Sequence, residues 1–154
     1  MKLFILPVLL SATTALASPI VGIWHCVGSD ENIHSDTKVE YLQDGSFRGD
    51  AKLKVDDDGN VLAYHVVGGG KWRFANNALT QSQIKYSEVS RLHSPETLAW
   101  LEESEDGQFL ESMIYTGLVA QMDKPGEDEV YQLDKTGKLV SEDGTAREVC
   151  TKVK

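Results

Sequence analysis

Along residues 47–55 the side chains alternate with a period of two. Phe47, Gly49, Ala51, Leu53 and Val55 fall on one side, and Arg48, Asp50, Lys52 and Lys54 on the other. Successive side chains of a strand point to opposite faces, so this predicts a strand with one dry and one wet face. Residues 37–43 repeat the pattern, with Val39 and Tyr41 against Lys38 and Glu40. Residues 61–67 are apolar on both faces, which predicts a strand covered on both. Further strands are predicted near residues 21–27, 71–75, 79–90, 108–118, 128–133, 138–141 and 145–153. Residues 94–104 carry two signals. Ser94-Pro95 looks like a helix start, whereas Leu98 and Trp100 alternate into Asp106-Gly107. The strand is the preferred reading.

Turn chemistry punctuates these segments. Asp-Gly occurs at residues 44–45, 58–59, 106–107 and 143–144, and Thr136-Gly137 adds a further signal. Asp-Gly between apolar alternations marks a hairpin, because both residues tolerate positive φ. Short strands joined by tight turns make a sandwich or a barrel. The expected fold is all-β: a small antiparallel barrel of roughly eight to ten strands. Gly68-Gly69-Gly70 precedes Lys71-Trp72 with no helix to follow, so it reads as a bend or bulge and not a phosphate cradle.

The N-terminus changes the compartment. Lys2, the apolar run Leu3–Leu10 and the small-x-small sequence Ala15-Leu16-Ala17 have the order of a cleavable signal peptide. Residues 1–17 are therefore assigned to that signal and residues 18–154 to one β-barrel domain. The run is too short to span a bilayer, and no later segment is a membrane span. The location expected is periplasmic or secreted. Cys26 and Cys150 are the two cysteines. In an oxidising compartment such a pair bridges, which makes the first and last strands neighbours and favours closure. Two free thiols or a redox pair are the alternatives. The net charge is −9, or −10 once Lys2 is removed. Such a surface repels phosphate backbones, so nucleic acid is not an expected partner.

Gly22-Ile23-Trp24 opens the first strand. Tyr41-Leu42-Gln43-Asp44-Gly45-Ser46-Phe47, Gly70-Lys71-Trp72 and Asn76-Asn77-Ala78-Leu79 follow in order. This succession resembles the lipocalin-like bacterial domains of the calycin group over roughly residues 20–80. The resemblance implies an up-and-down barrel with an internal cavity for an apolar small molecule. It also implies an Arg on the last strand over the opening Trp, for which Arg147 is the candidate. Strict alternation, however, puts Arg147 on the opposite face from Cys150, away from Trp24.

No catalytic constellation, metal site or cofactor is assigned. His25, His34, His65 and His93 lack metal-ligand spacing. Asp56-Asp57-Asp58-Gly59-Asn60 lacks the Gly and Glu positions of a calcium loop. The acids at 102–106 read as solvated charge. Candidate ligand-binding residues are Trp24, Tyr41, Phe47, Tyr64, His65, Trp72, Trp100 and Tyr115, which either fill the interior or line a cavity. Two functions are carried forward. One is non-catalytic binding of a small hydrophobic molecule. The other is an envelope protein-binding module, such as an inhibitor, immunity or assembly factor, with a filled barrel. An enzyme is the least favoured class. When the chain is exported from a bacterial host, intact-mass analysis is expected to give a product beginning at Ser18. A product retaining Lys2 would refute the signal assignment.

Overall fold

Hairpin after hairpin builds the wall. The computed structural model describes residues 18–154, and the assigned signal peptide, residues 1–17, lies outside the described residues. The strands are β1 (Gly22–Asp30), β2 (Ile33–Tyr41), β3 (Ser46–Asp57), β4 (Asn60–Ala75), β5 (Ala78–Arg91), β6 (Glu129–Leu133), β7 (Leu139–Asp143) and β8 (Ala146–Lys152). Each pairs antiparallel with the next, and β8 returns to β1, closing an eight-stranded barrel. The turns follow the residues. Asp58 and Gly59 both have positive φ, 52° and 90°, in the β3–β4 turn, as a tight hairpin of primed type requires. Asn76 and Asn77 do the same between β4 and β5, at 54° and 59°.

Closure is covalent. Cys26 lies directly opposite Cys150 in the β1–β8 ladder, and the two form a disulfide. Both face inward, so side chains of the same parity on β1 and β8 face inward too. Arg147 therefore points out and pairs with Glu142 at 3.2 Å. The cation over Trp24 is instead Lys152, its partner in the ladder. Its Nζ lies 5.7 Å from the indole centroid and donates to the Pro19 carbonyl at 2.9 Å. Trp24 donates from Nε1 to the Ile20 carbonyl at 2.8 Å. Together Ile20, Trp24 and Lys152 close the barrel floor.

Two stretches expected as strands are helical. α1 (Pro95–Glu103) replaces the strand read over 94–104, and α2 (Glu105–Asp123) replaces that read over 108–118. Ser94 caps α1, accepting from the Thr97 N–H at 3.2 Å, and Pro95 sits at its first position. Ser104 caps α2 through the Gly107 N–H at 3.0 Å. Asp106-Gly107 is thus the first turn of a helix and not a hairpin. Leu110, Ile114 and Leu118 recur every four residues and turn inward, the helical period that the supposed Asp-Gly turn obscured.

The helices fill a shortfall in the wall. β6 pairs with β5 only from Ala78 to Gln81, which leaves Ser82–Arg91 without a strand partner on that side. α2 packs there. Gly126 N–H donates to the Ile84 carbonyl at 2.8 Å. Deeper in, Arg91 grips Glu111 with two bonds, at 2.6 and 3.2 Å. His93 Nδ1 accepts from the Ala63 N–H at 3.1 Å, so its Nε2 carries the proton toward Glu111 Oε1 at 3.3 Å. No helix among the described residues is long and apolar enough to cross a membrane.

The bridge spans 124 residues of sequence. In the chain-entropy view, removing it releases about 4–5 kcal/mol of restriction on the unfolded chain. A Cys26→Ala/Cys150→Ala variant is expected to keep the barrel's circular dichroism and lose up to that amount in urea unfolding. An unchanged midpoint would show that the non-covalent β1–β8 pairing suffices.

Candidate functional site

The interior is not filled. An inner chamber of about 210 Å³ lies above Phe47 and the disulfide, walled by Val39, Val66, Ile84, Tyr86 and Leu118. It opens into a mouth of about 720 Å³ between the end of α2 and the β7–β8 hairpin. Ser35, Leu53, Tyr86, Glu129, Tyr131 and Glu148 line both spaces, so the two are continuous. The mouth lies within the roughly 300–1,000 Å³ of small-molecule sites, and the inner chamber alone is smaller than that.

Residue by residue, the expected binding set disperses. Phe47 lines the chamber. Trp24 is the buried floor plug, 1% exposed. Tyr41 lies below the chamber, in edge contact with Trp72 at 5.9 Å. Its hydroxyl accepts from Gln81 Nε2 at 2.5 Å. Trp72 donates to the Leu42 carbonyl at 3.0 Å. Tyr64 is buried edge-on against His93, at 5.1 Å, where its hydroxyl finds no partner. His65 is on the outer wall, 3.0 Å from Asp50. The alternation Leu62, Tyr64, Val66 takes the inner face of β4 and leaves His65 outside. Trp100 packs against Gly107, where a Cβ would lie 2.6 Å from the indole. Tyr115 on α2 stacks under the Arg91 guanidinium, 3.5 Å from the centroid.

What the sequence reading missed is acidic. Glu148 shares the inner face of β8 with Cys150, and Glu129 shares that of β6 with Tyr131. The Tyr131 hydroxyl donates to Glu148 at 2.7 Å and lies 3.1 Å from Glu129. One phenolic proton cannot serve two carboxylates at once. A second proton, a cation or water completes the line. Burial pushes the Glu148 carboxyl up from its ordinary range, against the Tyr131 hydrogen bond. Burial also raises Glu129, and the Glu148 charge adds to it. Glu129 is exposed at the chamber mouth, where water reaches its carboxylate. Among the described residues no Lys, Arg or His lines the inner chamber. The mouth adds Asp30, Glu127, Asp128, Glu142 and Asp143, with Arg147 as its one base.

Glu148 also lies within 4.8 Å of both cysteine sulfurs. Those sulfurs are committed to the disulfide, so the trio holds no ligand set for a metal. No protein-family model matches the chain, and no curated protein is found to be similar to it. The closed eight-stranded barrel is compatible with a lipocalin-like fold.

Carboxyls raised by burial stabilise the fold while protonated. That contribution is present below the unfolded pKa, 4.5, and is lost as pH rises through the higher folded values. Asp44, Glu111 and Asp134 are lowered instead, so their contribution is lost only at more acid pH. The wild-type melting temperature is therefore expected to fall between pH 4.5 and neutrality. Glu148→Gln should flatten that fall. Parallel wild-type and variant curves would refute the assignment.

Proposed function

We propose that this protein is an exported, periplasmic or secreted barrel that binds a small molecule without transforming it. The ligand has an apolar body and a protonated amine. The observation that carries this reading is the Glu129–Tyr131–Glu148 line at the head of an apolar chamber. Two carboxylates share one phenol there, with no basic side chain lining the chamber. An ammonium group supplies both missing elements, a positive charge and several N–H donors. The apolar body then lies against Val39, Phe47, Val66 and Ile84. The acidic mouth raises the local concentration of cations and draws such a ligand in.

The reading narrows the expectation from sequence, a small hydrophobic molecule, to one with a cationic head. A purely apolar ligand would leave Glu148 desolvated with the Tyr131 hydroxyl as its one donor, a cost its burial has to overcome. A fatty acid would add a third carboxylate to the same site.

Calorimetry with octylammonium, octanol and octanoate separates these cases. A charge-assisted hydrogen bond contributes about 1.5–3 kcal/mol, so octylammonium is expected to bind roughly tenfold or more tightly than octanol. Octanoate should be weakest. Glu148→Gln should remove the preference for the amine while retaining octanol binding. Equal affinities for the three ligands would refute the reading.

A further inference from the structure

A second surface lies outside the chamber. Between Asp106 and Asp123, α2 has one charged side chain, Glu111, and that one is turned inward to Arg91. The outward face of this stretch is therefore uncharged for about four turns. Phe109 and Met113, one turn apart, stand on it 73% and 56% exposed. Gly117 and Ala120 continue the line, and a Cβ at Gly117 would meet nothing within 4 Å. An exposed helix face without charge, bearing an open Phe and Met, is what a partner covers.

The charge distribution says what kind of partner. Residues 95–128 hold nine acidic side chains and one base, Lys124. This helical insertion carries −8 of the chain's −9, so the rest of the chain is nearly neutral. The acids stand at both ends of the apolar line. Glu102, Glu103, Glu105 and Asp106 precede it, and Asp123 comes after it, ahead of Glu127 and Asp128 at the chamber mouth. Acids at the start of a helix are favoured by its dipole, but Asp123 in the last turn, with no base there, opposes it. Helix stability therefore does not account for the acids at both ends. A basic partner would be complementary to them.

We infer that the outer face of α2 is the docking site for a basic polypeptide that lays an apolar helix stripe, flanked by Lys or Arg, along Phe109 and Met113. The apolar stripe supplies affinity, and the acidic ends set orientation and speed of encounter. This surface does not depend on the chamber being a ligand site.

The probe is a fluorescently labelled amphipathic peptide of about 14 Leu and Lys residues. Anisotropy is read on the full mature chain with its disulfide intact, at about 0.05 and 0.5 M NaCl. Binding that weakens with salt is expected. Phe109→Ser/Met113→Ser should weaken it at least about tenfold, the loss of two buried apolar side chains. Both residues are exposed, and unchanged circular dichroism confirms the fold. Replacing Leu by Ser in the peptide should cost as much. Replacing Lys by Glu should abolish binding. Glu40→Lys on the barrel should leave affinity within about twofold. Retained binding by the double variant would overturn the proposal, because the peptide would then be held by charge alone. A dimer in sedimentation that the double variant dissolves would overturn it in favour of a second copy as the occupant. Binding to phosphatidylcholine vesicles through Phe109 and Met113 would overturn it in favour of a membrane surface.

Discussion

The pairing of β1 with β8 determines what the rest of the molecule is able to do. An antiparallel sheet that stops short of closure has two edges and two faces. One that closes has an inside. Here the ladder sets Cys26 opposite Cys150 and the disulfide holds that register. Parity then propagates from this pair. Trp24 and Lys152 fall to the floor end. Glu148 falls inside, and Arg147 falls outside to meet Glu142. A slip of one residue would exchange Glu148 for Arg147 in the chamber and invert its charge.

Closure is incomplete where β6 is short, and that defect places the helices. Only four residues of β5 find a partner in β6. The next ten offer backbone groups that need covering, and α2 takes the position. The Arg91–Glu111–His93 grip fixes the helix, while Gly126 and Gln121 reach the Ile84 carbonyl. The opening left beside α2 is the chamber mouth. Below it, β4 breaks its regular pairing. The ladder to β5 shifts register on both sides of Gly68-Gly69, where a Cβ on Gly69 would collide with the Phe47 carbonyl.

Much of this architecture was legible in the chain. Alternation gave β2 and β3, an apolar run gave β4, Asp-Gly and Thr-Gly gave four hairpin turns, and the lone cysteine pair gave closure. The helices were harder to read, for a local reason. Asp106-Gly107 has the composition of a hairpin turn, but Ser104 two residues upstream supplies the cap that turns it into a first helical turn. Competition between an Asp-Gly turn and a Ser cap is decided by the residues downstream, and here Leu110, Ile114 and Leu118 recur at helical spacing. The site was less legible than the fold. Aromatic residues were the natural candidates for a cup, yet Trp24, Tyr41 and Trp72 build its floor. Of those candidates only Phe47 lines it. The informative signal was parity: if Arg147 faces away from Cys150, then Glu148 faces with it.

The acids inside the barrel are the feature that folding alone does not explain. A solid core would place an apolar side chain at position 148, beside the disulfide, and would gain stability by it. Instead the chain keeps the Glu148 carboxyl there, with Glu129 at the mouth close by, and both are raised from the ordinary carboxylate range. Tyr131 has one proton to offer the two of them. Positions that break the rules of a good core without local compensation concentrate where a protein meets its ligand. The same reasoning applies outside, to Phe109 and Met113 on a helix face without charge. The barrel wall between these places obeys the local rules: polar outward, apolar inward, primed turns at the ends. The departures lie at the head of the chamber and on the outer face of α2, one poor in cations and the other poor in cover. Each lacks what a binding partner of the corresponding chemistry would bring.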